Sequence, residues 1–411
     1  MNKFLAAACL TGSLVQAAHA DTELVVSHAW AHHAPWQQEI AKNFTETAPH
    51  VSISFQAPSS DYDEGFVSVI RQDLADSAPD VFMVGSHLLG ALVTRGMVEP
   101  LDDVMEGVDM EALGYTPEVL ALTQVNGIQY GLPWTSSTPV MFYNAELVRE
   151  AGGDPEAMPT DWEGTIALAE KIDALSDDIM GMYYSPGDDD WMTQNLLATA
   201  GLAPILDDGT IAFATDLGKD AIVLFDRFHD EGGQEAIADR AARQQMFAGQ
   251  MGLYFNSTAV VGSFAREIGD RFEWRTAPMP KLVEDGGVAS GGMAAVILAD
   301  DPAKRQAAFD YLLYGTGAEG QTIVVKNTGY MPVNTGALAV DKLGEFYSKN
   351  PDWATSAEQM NRSFPWFAWP GKDGVRISKM VVDTLSAVSN GEMTGAEAAT
   401  KLEEEVARMM D

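Results

Sequence analysis

The chain has 411 residues and a formal net charge of −35. Such an excess of carboxylates repels nucleic acid and anionic membrane surfaces, so neither is expected as a partner. The length exceeds what one hydrophobic core normally supports and therefore predicts two lobes. The one cysteine of the sequence, Cys9, excludes an internal disulfide framework.

The first twenty residues read as an export signal. Lys3 supplies the positive start, residues 4–15 form a short apolar stretch, and residues 18–20 give an A-x-A cleavage site. The apolar stretch is too short to span a bilayer permanently, and no later stretch reaches transmembrane length. We therefore expect residues 1–20 to be removed and the remaining chain to be soluble and periplasmic. A lipoprotein interpretation of Cys9 is the alternative.

The N-terminal part alternates strand and helix patterns. Apolar runs predict three strands, at 23–27, 51–55 and 80–84. Apolar spacings of three and four predict helices between them, at 35–47 and 62–76. This order favours parallel pairing in an open α/β sheet, where ligands bind beyond the carboxyl ends of the strands. The loops at those ends, 28–33, 57–62 and 85–87, are therefore candidate site segments.

A hydroxyl-rich turn marks the middle of the chain. Residues 130–144 read YGLPWTSSTPVMFYN, with four hydroxyl residues at 135–138 between two apolar, strand-like runs. Asn144 is well placed as the N-cap of the helix that follows. Short hydroxyls beside Trp134, on a crossover between two α/β blocks, suit the polyol face of a small ligand better than bond-breaking chemistry.

The second block repeats the mixed pattern. Helices are predicted at 146–151, 162–175, 188–200, 221–229, 302–314 and 397–410, and strands at 180–185 and 251–255. The glycine-containing stretch 288–298 is interpreted as a second crossover between the lobes. A G-x-G-x-x-G match at 315–320 follows a helix instead of a strand, so it is expected to end that helix and not to bind a dinucleotide.

The motif SSTPV-x-x-YN within 130–144 resembles the periplasmic substrate-binding proteins of ABC importers, in the family that includes the maltodextrin and glycerol-3-phosphate binding proteins. Weaker similarities lie at 78–80, 291–292, 327–334 and Arg376. The resemblance implies an α/β, two-lobed periplasmic binding protein fold, with a parallel-dominated sheet flanked by helices in each lobe and the ligand cleft at the hinge. Lobe one would combine 21–134 with 290–340, and lobe two would combine 135–289 with 341–411.

The same resemblance implies a function without catalysis. A carbohydrate or polyol ligand with an anionic group, such as a glycerol phosphate, a glycerophosphodiester or a sulfonated sugar, would be captured by hinge closure and delivered to the transmembrane subunits of an ABC permease. No cofactor or metal is implied, and we expect a monomer. Two alternatives stay open: a binding protein for a neutral oligosaccharide such as maltose or trehalose, and a secreted carbohydrate-active enzyme. The enzyme would need two opposed carboxylates, roughly 5–10 Å apart, in the cleft.

Several ligand contacts follow from the resemblance alone. They are Tyr62, Ser136 or Ser137, Ser257, Gly291 or Gly292, and Tyr330. Trp191 stands where the glycerol-3-phosphate branch has an aromatic platform, although a core position is the alternative. Residues 188–190, three aspartates, are interpreted as a cap for the helix near Trp191 and not as a glycosidase pair.

Two further positions bear on the charge of the ligand. Arg376 matches a phosphate-binding arginine of that branch and predicts a phosphate, phosphodiester or sulfonate group. The alternative for Arg376 is a surface helix position paired with a nearby acid. Ser86 stands where the branch has a glutamate that grips the glycerol hydroxyls, which argues against glycerol-3-phosphate itself.

Histidine and tryptophan clusters complete the candidate site. Three of the seven histidines lie at 28–33, and a hydrogen-bonding role for His28 or His32 competes with a plain exposed loop and with metal binding. Trp30 of this loop is included among the predicted contacts. The run FPWFAWPG at 364–371 is expected to turn Trp366 or Trp369 toward the cleft, with core packing as the alternative, and we place Trp369 in the predicted site.

Overall fold

The computed structural model describes residues 22–187, 189–371 and 373–410. The predicted export signal with Cys9, and Asp188 of the aspartate run, lie outside these residues. No helix in the described part of the chain is long and apolar enough to cross a membrane.

The described residues form twelve strands. In chain order they are β1 (Thr22–Ser27), β2 (Val51–Phe55), β3 (Val81–Gly85), β4 (Gln124–Val125), β5 (Ile128–Gln129), β6 (Gly131–Ser137), β7 (Pro139–Asn144), β8 (Met180–Tyr184), β9 (Met251–Ser257), β10 (Trp274–Pro278), β11 (Val288–Ile297) and β12 (Ser363–Pro365).

The same residues form seventeen α-helices. In chain order they are α1 (Ala34–Thr47), α2 (Tyr62–Asp73), α3 (Leu89–Thr94), α4 (Asp102–Met105), α5 (Pro117–Ala121), α6 (Ala145–Glu150), α7 (Trp162–Asp173), α8 (Trp191–Thr199), α9 (Asp216–Asp230), α10 (Asp239–Ala248), α11 (Val261–Ile268), α12 (Pro302–Thr316), α13 (Ala318–Thr328), α14 (Glu345–Lys349), α15 (Thr355–Glu358), α16 (Gly374–Ser389) and α17 (Gly395–Met410).

Two sheets organise the molecule. The first has the order β12-β11-β3-β1-β2, with β6 also paired to β11, and helices α1, α2 and α12 pack on it. We call this layer the first lobe. The second has the order β10-β7-β9-β8, with helices α7, α9 and α10 packed on it, and we call this layer the second lobe. The two-lobed α/β fold class predicted from the sequence is confirmed.

The two sheets differ in strand direction. β1 pairs in parallel with β2 and with β3, as the β-α-β-α-β pattern predicted. In the second sheet, β7 pairs antiparallel with both β9 and β10, and the β8–β9 pair alone is parallel. This sheet therefore differs from the parallel-dominated sheet expected from the sequence. The residue boundaries given above for the lobes stay a prediction.

The N-terminal helices form as their sequences predicted. Trp36, Ile40 and Phe44 lie on one face of α1 and are buried against the first sheet. Helix α2 begins after Asp61, whose side chain accepts a hydrogen bond from the Glu64 backbone N–H. This N-cap satisfies a donor that the first helical turn otherwise leaves free. The turn before α2 is thereby fixed at the edge of the sheet where the site lies.

The hydroxyl-rich turn is the crossover that the sequence indicated. β6 ends at Ser137 in the first sheet, and β7 begins at Pro139 in the second, so Thr138 is the residue between the two lobes. Asn144 accepts hydrogen bonds from the backbone of Glu146 and Leu147 and caps α6 as predicted. The stretch 288–298, predicted to be a second crossover, is the long strand β11, which joins β3, β6 and β12.

Thr138 belongs to a buried hydrogen-bond network. Its Oγ1 lies 2.8 Å from Ser356 Oγ and accepts a hydrogen bond of 2.7 Å from Gln359 Nε2. Ser356 Oγ in turn donates to Thr258 Oγ1 at 3.0 Å. Three segments distant in sequence are thus held together at the crossing between the sheets. The hydroxyls of Thr138, Ser356 and Thr258 each have a hydrogen-bond partner, so none of these three buried groups is left unpaired at the crossing.

The G-x-G-x-x-G stretch ends a helix. Helix α12 runs to Thr316, Gly317 follows it, and α13 begins at Ala318. At Gly315, an added Cβ would lie 2.0 Å from the indole of the fully buried Trp134, so glycine is required there for close packing. The glycines therefore serve helix packing and termination, as expected.

Candidate functional site

A cavity of about 350 Å³ opens between the two lobes. Its first side is lined by Trp30, His33, Tyr62, Tyr330 and Trp366, which we call the aromatic wall. Its second side is lined by Ser185, Asp189, Asp239, Arg243, Asn256 and Ser257, which we call the polar wall. Ser137, Trp191, Gly291 and Gly292 lie between these walls. We refer to this space as the cleft cavity.

Part of the aromatic wall comes from the carboxyl ends of first-sheet strands, where Trp30 follows β1 and Trp366 follows β12, whereas Tyr62 begins α2 and Tyr330 follows α13. Trp30 follows β1, and its ring centroid lies 4.3 Å from that of Tyr62 at an interplanar angle of 64°. Trp30 has a φ of 59°, a left-handed conformation that is rare for a residue with a side chain. Strained backbone of this kind is concentrated at ligand sites, where the surrounding packing holds it in place.

Tyr62 and Tyr330 stay protonated. Burial raises the pKa of Tyr62 well above its usual value, because a phenolate is poorly solvated there. Burial also raises the pKa of Tyr330 to about 12, against the opposing effect of the Thr135 and Tyr62 hydroxyls. Both phenols therefore keep a hydrogen-bond donor at neutral pH.

His33 is buried in the aromatic wall. Its ring contacts Trp30 at 5.3 Å and Trp36 at 5.3 Å, measured between ring centroids. Burial lowers the pKa of His33 well below its usual value, and the neighbouring His32 and His28 lower it further. The imidazole is therefore neutral at pH 7, and the aromatic wall carries no charge from this residue.

Trp191 faces the aromatic wall from the start of α8. Its backbone N–H donates to Asp189 Oδ1 at 3.1 Å, whereas the N-cap residue Asp190 makes no side-chain capping bond, so Asp189 alone of the two described aspartates satisfies a donor of the first turn. A Cβ at Gly291 would lie 2.9 Å from the Trp191 indole, so glycine allows β11 to pass this ring closely. At Gly292, with φ 140°, an added Cβ would meet Thr135 O at 2.1 Å. Both glycines thus serve a close approach that a side chain would prevent.

The polar wall carries a charged network. Arg243 Nη2 and Tyr254 Oη both donate to the Asp239 carboxylate, each at 2.8 Å. Asn256 Nδ2 donates to Tyr254 Oη, also at 2.8 Å. Burial acts to lower the pKa of Arg243, but Tyr254 and Asp239 outweigh it and raise that pKa, so the guanidinium is charged. The network holds Asp239, Arg243 and Asn256 in fixed positions against the cavity.

Two serines of the polar wall are also fixed locally. Ser185 Oγ accepts a hydrogen bond from the Gly187 N–H at 3.2 Å. Ser257 Oγ accepts one from the Ala259 N–H at 3.1 Å. Neither hydroxyl donates a hydrogen bond to another of the described residues, so each serine can donate to a ligand in the cavity.

A second cavity of about 370 Å³ lies behind Trp366 and Gly291, which line both spaces. We call it the rear cavity. It is lined by Ser86, His87, Thr135, Ser136 and Ser290, together with residues 121–126. The two candidate serines of the hydroxyl-rich turn are thereby separated, since Ser136 lines the rear cavity and Ser137 lines the cleft cavity.

The structure brings together most of the residues that the sequence indicated. Eight line the cleft cavity: Trp30, Tyr62, Ser137, Trp191, Ser257, Gly291, Gly292 and Tyr330. Ser86 and Ser136 line the rear cavity. Whether these residues contact a ligand stays a prediction.

Three predicted residues line neither of these cavities. His28 is buried, with Nδ1 2.8 Å from its neighbour's carbonyl, Ala29 O. Trp369 is turned away, and its Nε1 donates to the buried Asp190 at 2.5 Å, so Trp366 is the tryptophan of this run that faces the cleft. Arg376 has 71% of its side chain exposed and pairs with Asp373 at 2.7 Å.

The placement of Arg376 corrects the expected position of the anion-binding group. Helix α16 buries Ile377, Val381 and Leu385, which directs the neighbouring Arg376 to solvent. This is the surface alternative weighed from the sequence. The cationic residue that lines the cleft cavity, among the described residues, is Arg243.

Sequence reasoning missed Asp239, Arg243 and Asn256. Arg243 lies in the run DRAARQQMFA, which has the composition of an ordinary surface helix. Asn256 directly precedes the predicted Ser257, and this adjacency was the available signal. The histidine loop gives no support to a metal site, because no group of three or more His, Cys, Asp or Glu side chains in the described ranges could hold an ion.

Comparison with known proteins assigns the chain to a protein family. A sequence profile of the bacterial extracellular solute-binding proteins matches residues 39–355. The chain belongs to this bacterial extracellular solute-binding protein family. The resemblance inferred from the SSTPV motif is thereby confirmed.

Curated relatives and solved structures agree with this assignment. The sn-glycerol-3-phosphate-binding periplasmic protein UgpB of Escherichia coli K12 is 24% identical over 87% of this chain and 85% of its own. The UgpB structure from Mycobacterium tuberculosis in complex with glycerophosphocholine has a TM-score of 0.81 at 19% identity, covering 93% and 98% of the two chains. Maltose-bound MalE3 of T. maritima has a TM-score of 0.80 at 14% identity, covering 94% and 100%.

Proposed function

We propose that this protein is the periplasmic substrate-binding component of an ABC importer and captures a neutral carbohydrate or polyol between its lobes. The observation that carries the proposal is the cleft cavity, in which an aromatic wall faces a polar wall. Its volume of about 350 Å³ lies within the range of small-molecule sites. Aromatic faces contact the apolar side of a sugar ring, and hydroxyls, amides and carboxylates pair with its hydroxyl groups.

The charges of the cavity favour a neutral ligand. Asp189 and Asp239 bring two carboxylates to the cavity, and Arg243 brings one guanidinium that is already paired with Asp239. The neutral His33 adds no positive charge. An anionic ligand would therefore meet an excess of carboxylate charge, whereas sugar hydroxyls can donate to carboxylates and accept from the guanidinium.

An anionic carbohydrate or phosphodiester is the second candidate, and Arg243 favours it. Its Nε and Nη2 contact Tyr254 and Asp239, and Arg243 also lines the cleft cavity, where its guanidinium can meet a charged oxygen of a ligand. If the ligand is anionic, Arg243 binds its charged group, which is the role that the resemblance implied for Arg376. The UgpB relatives bind sn-glycerol-3-phosphate according to their names, and the UgpB structure holds glycerophosphocholine.

Fold similarity does not choose between the two candidates. The glycerophosphocholine complex and the maltose complex have TM-scores of 0.81 and 0.80 to this chain. The choice between a neutral and an anionic ligand therefore depends on the residues of the cavity, and these favour the neutral ligand.

Binding would act through closure of the lobes. A ligand that touches both walls stabilises the arrangement in which the walls are close, and the crossing at Thr138 is a connection about which they can turn. The closed form would then dock on the membrane permease. No bond in the ligand is made or broken in this mechanism, so incubation with glycosides should release no reducing sugar.

Thermal shift against a ligand panel tests the proposal. The panel contains maltose and trehalose, and also glycerol-3-phosphate, glycerophosphocholine and a sulfonated glycoside. A ligand at about a hundred times its Kd adds about 2.7 kcal/mol of stability and should raise the Tm by a few degrees. A shift with the neutral sugars supports the proposal. A shift confined to the anionic compounds overturns it in favour of the second candidate.

A further inference from the structure

The segment that carries Trp366 has no regular backbone structure. Strand β12 ends at Pro365, and residues 366–371 form neither helix nor strand. Trp366 nevertheless lines the cleft cavity and is 7% exposed, and its indole stacks on the His87 imidazole with ring centroids 3.6 Å apart. Loops without ladder hydrogen bonds are usually mobile, so a fixed position of this ring requires that the backbone beside it be bound to a rigid element.

Gln194 of α8 binds this backbone through its side-chain amide. Its Nε2 donates to Phe367 O at 3.1 Å, and its Oε1 accepts from the Phe367 N–H at 3.0 Å. That N–H belongs to the peptide group that joins Trp366 to Phe367, so the two bonds fix the chain directly after Trp366. A primary amide offers a donor and an acceptor as a backbone peptide does, so Gln194 replaces the neighbouring strand that this segment lacks.

The amide of Gln194 is itself held in place. The side chain is 3% exposed, and Asp190, the N-cap residue of α8, lies four residues before it. Asp190 Oδ2 accepts from Gln194 Nε2 at 3.1 Å and from Trp369 Nε1 at 2.5 Å. Both protons of Nε2 and the carbonyl oxygen are therefore used. The amide cannot rotate without leaving buried polar groups unpaired, which is unfavourable in the interior.

Helix α8 also carries the second tryptophan of this part of the site. Trp191 lies three residues before Gln194, a spacing that places the two side chains next to each other on the helix surface. Trp191 lines the cleft cavity, and its ring centroid is 6.3 Å from that of Trp366. One helix thus supplies one of the two rings and binds the backbone beside the other. The distance between the rings is therefore set by α8.

We propose that Gln194 is a positioning residue of the ligand site, which does not line the cleft cavity but holds Trp366 in place against Trp191 through the backbone of Phe367. This inference rests on the proposed function and adds to it a residue that acts on the ligand only through another side chain. A ring that is already in place loses little freedom when the ligand binds, so its contact contributes more fully to affinity. Releasing Phe367 should therefore weaken binding even though Trp366 is still present.

A double-mutant cycle tests whether Gln194 acts through Trp366. Gln194→Met nearly keeps the length of the side chain and removes its donor and acceptor. Isothermal titration with maltose, or with the panel compound that raises the parent Tm most, compares Gln194→Met, Trp366→Ala and the double variant. We expect Gln194→Met to weaken binding about tenfold in the parent and less than about twofold in the Trp366→Ala background. Equal losses in the two backgrounds would overturn the proposal.

Gln234→Met is the matched control. Gln234 is also 3% exposed, accepts a hydrogen bond from the Tyr184 N–H at 2.8 Å and donates to Ser389 Oγ at 3.1 Å. It lines neither the cleft cavity nor the rear cavity. We expect a lower Tm in both glutamine variants, but an affinity within about twofold of the parent in Gln234→Met. A tenfold loss of affinity in both variants would refute a specific positioning role, because loss of any buried amide would then weaken binding.

A spectroscopic measurement tests the same role without a ligand. The chain has nine tryptophans, and after labelling with fluorotryptophan the fluorine NMR resonance of Trp366 is identified by its loss in Trp366→Phe. We expect Gln194→Met to shift or broaden this resonance and Gln234→Met to leave it unchanged. An unchanged resonance in Gln194→Met overturns the proposal. If no panel compound raises the Tm of the parent, the proposed function fails, whereas this resonance still decides whether Gln194 holds Trp366.

Discussion

The two walls of the cleft cavity are built on different principles. The aromatic wall is uncharged, and its residues are fixed by ring packing, as between Trp30 and Tyr62. The polar wall is fixed by hydrogen bonds, as between Arg243 and Asp239. Ring contacts supply area with little directional preference, whereas fixed donors and acceptors reject a ligand that fails to pair with them. We infer that the aromatic wall provides affinity for sugars as a class and the polar wall selects among them.

The largest effect should come from the polar wall. Arg243→Ala removes a charged donor and leaves Asp239 without its ion-pair partner. Losing a hydrogen bond to a charged group costs about 1.5–3 kcal/mol, which is a roughly 10- to 100-fold loss of affinity. Isothermal titration with the best sugar of the panel measures this loss. Binding within about twofold of the parent would show that the ligand does not contact Arg243.

Removing the Trp191 ring should weaken ligand binding nearly as much as Arg243→Ala does. Trp191→Ala removes a buried ring that lines the cleft cavity, and burial of a large apolar side chain is worth about 2 kcal/mol, or roughly 30-fold in affinity. Trp369→Ala is the matched control, since Trp369 is buried but lines neither cavity. Quenching of tryptophan fluorescence by ligand gives both affinities. Equal losses of affinity in Trp191→Ala and Trp369→Ala would contradict the assignment of Trp191 as a ligand-contacting ring and of Trp369 as a core residue.

The aromatic wall should also make stability depend on pH. The pKa of His33 is lowered in the folded state, so the unfolded chain binds more protons as the pH falls below about 6.5, and folding weakens there. The stabilising contribution is present above that pH and is lost toward acid. We expect the Tm to drop by a few degrees less between pH 7.5 and 5.0 in His33→Gln than in the parent. His50→Gln, on an exposed histidine, serves as control, and identical pH profiles of His33→Gln and parent would refute this account.

The smallest effect is expected at Arg376. This side chain is exposed and paired with Asp373, and such surface pairs contribute about 0–1 kcal/mol. Arg376→Ala should therefore change affinity by less than about twofold, in contrast to Arg243→Ala. Titration of the two variants in parallel decides which arginine belongs to the site. A tenfold loss in Arg376→Ala would restore the role that the resemblance assigned to it.

The sequence determined the class of this protein and its first strands and helices. Apolar periodicity predicted the first strands and helices, and the SSTPV motif marked both the family and the crossover at Thr138. These features are local, because the spacing of apolar residues and the chemistry of a turn can be read from neighbouring positions.

Only the tertiary structure decided which side chains meet in the cleft. Arg243 and Arg376 both lie on helices, and Trp366 and Trp369 both lie in one aromatic run, so local sequence does not separate the members of either pair. The rotation of each helix and the path of each loop are set by packing against distant segments. That packing turns Arg243 and Trp366 into the cavity and Arg376 and Trp369 away from it.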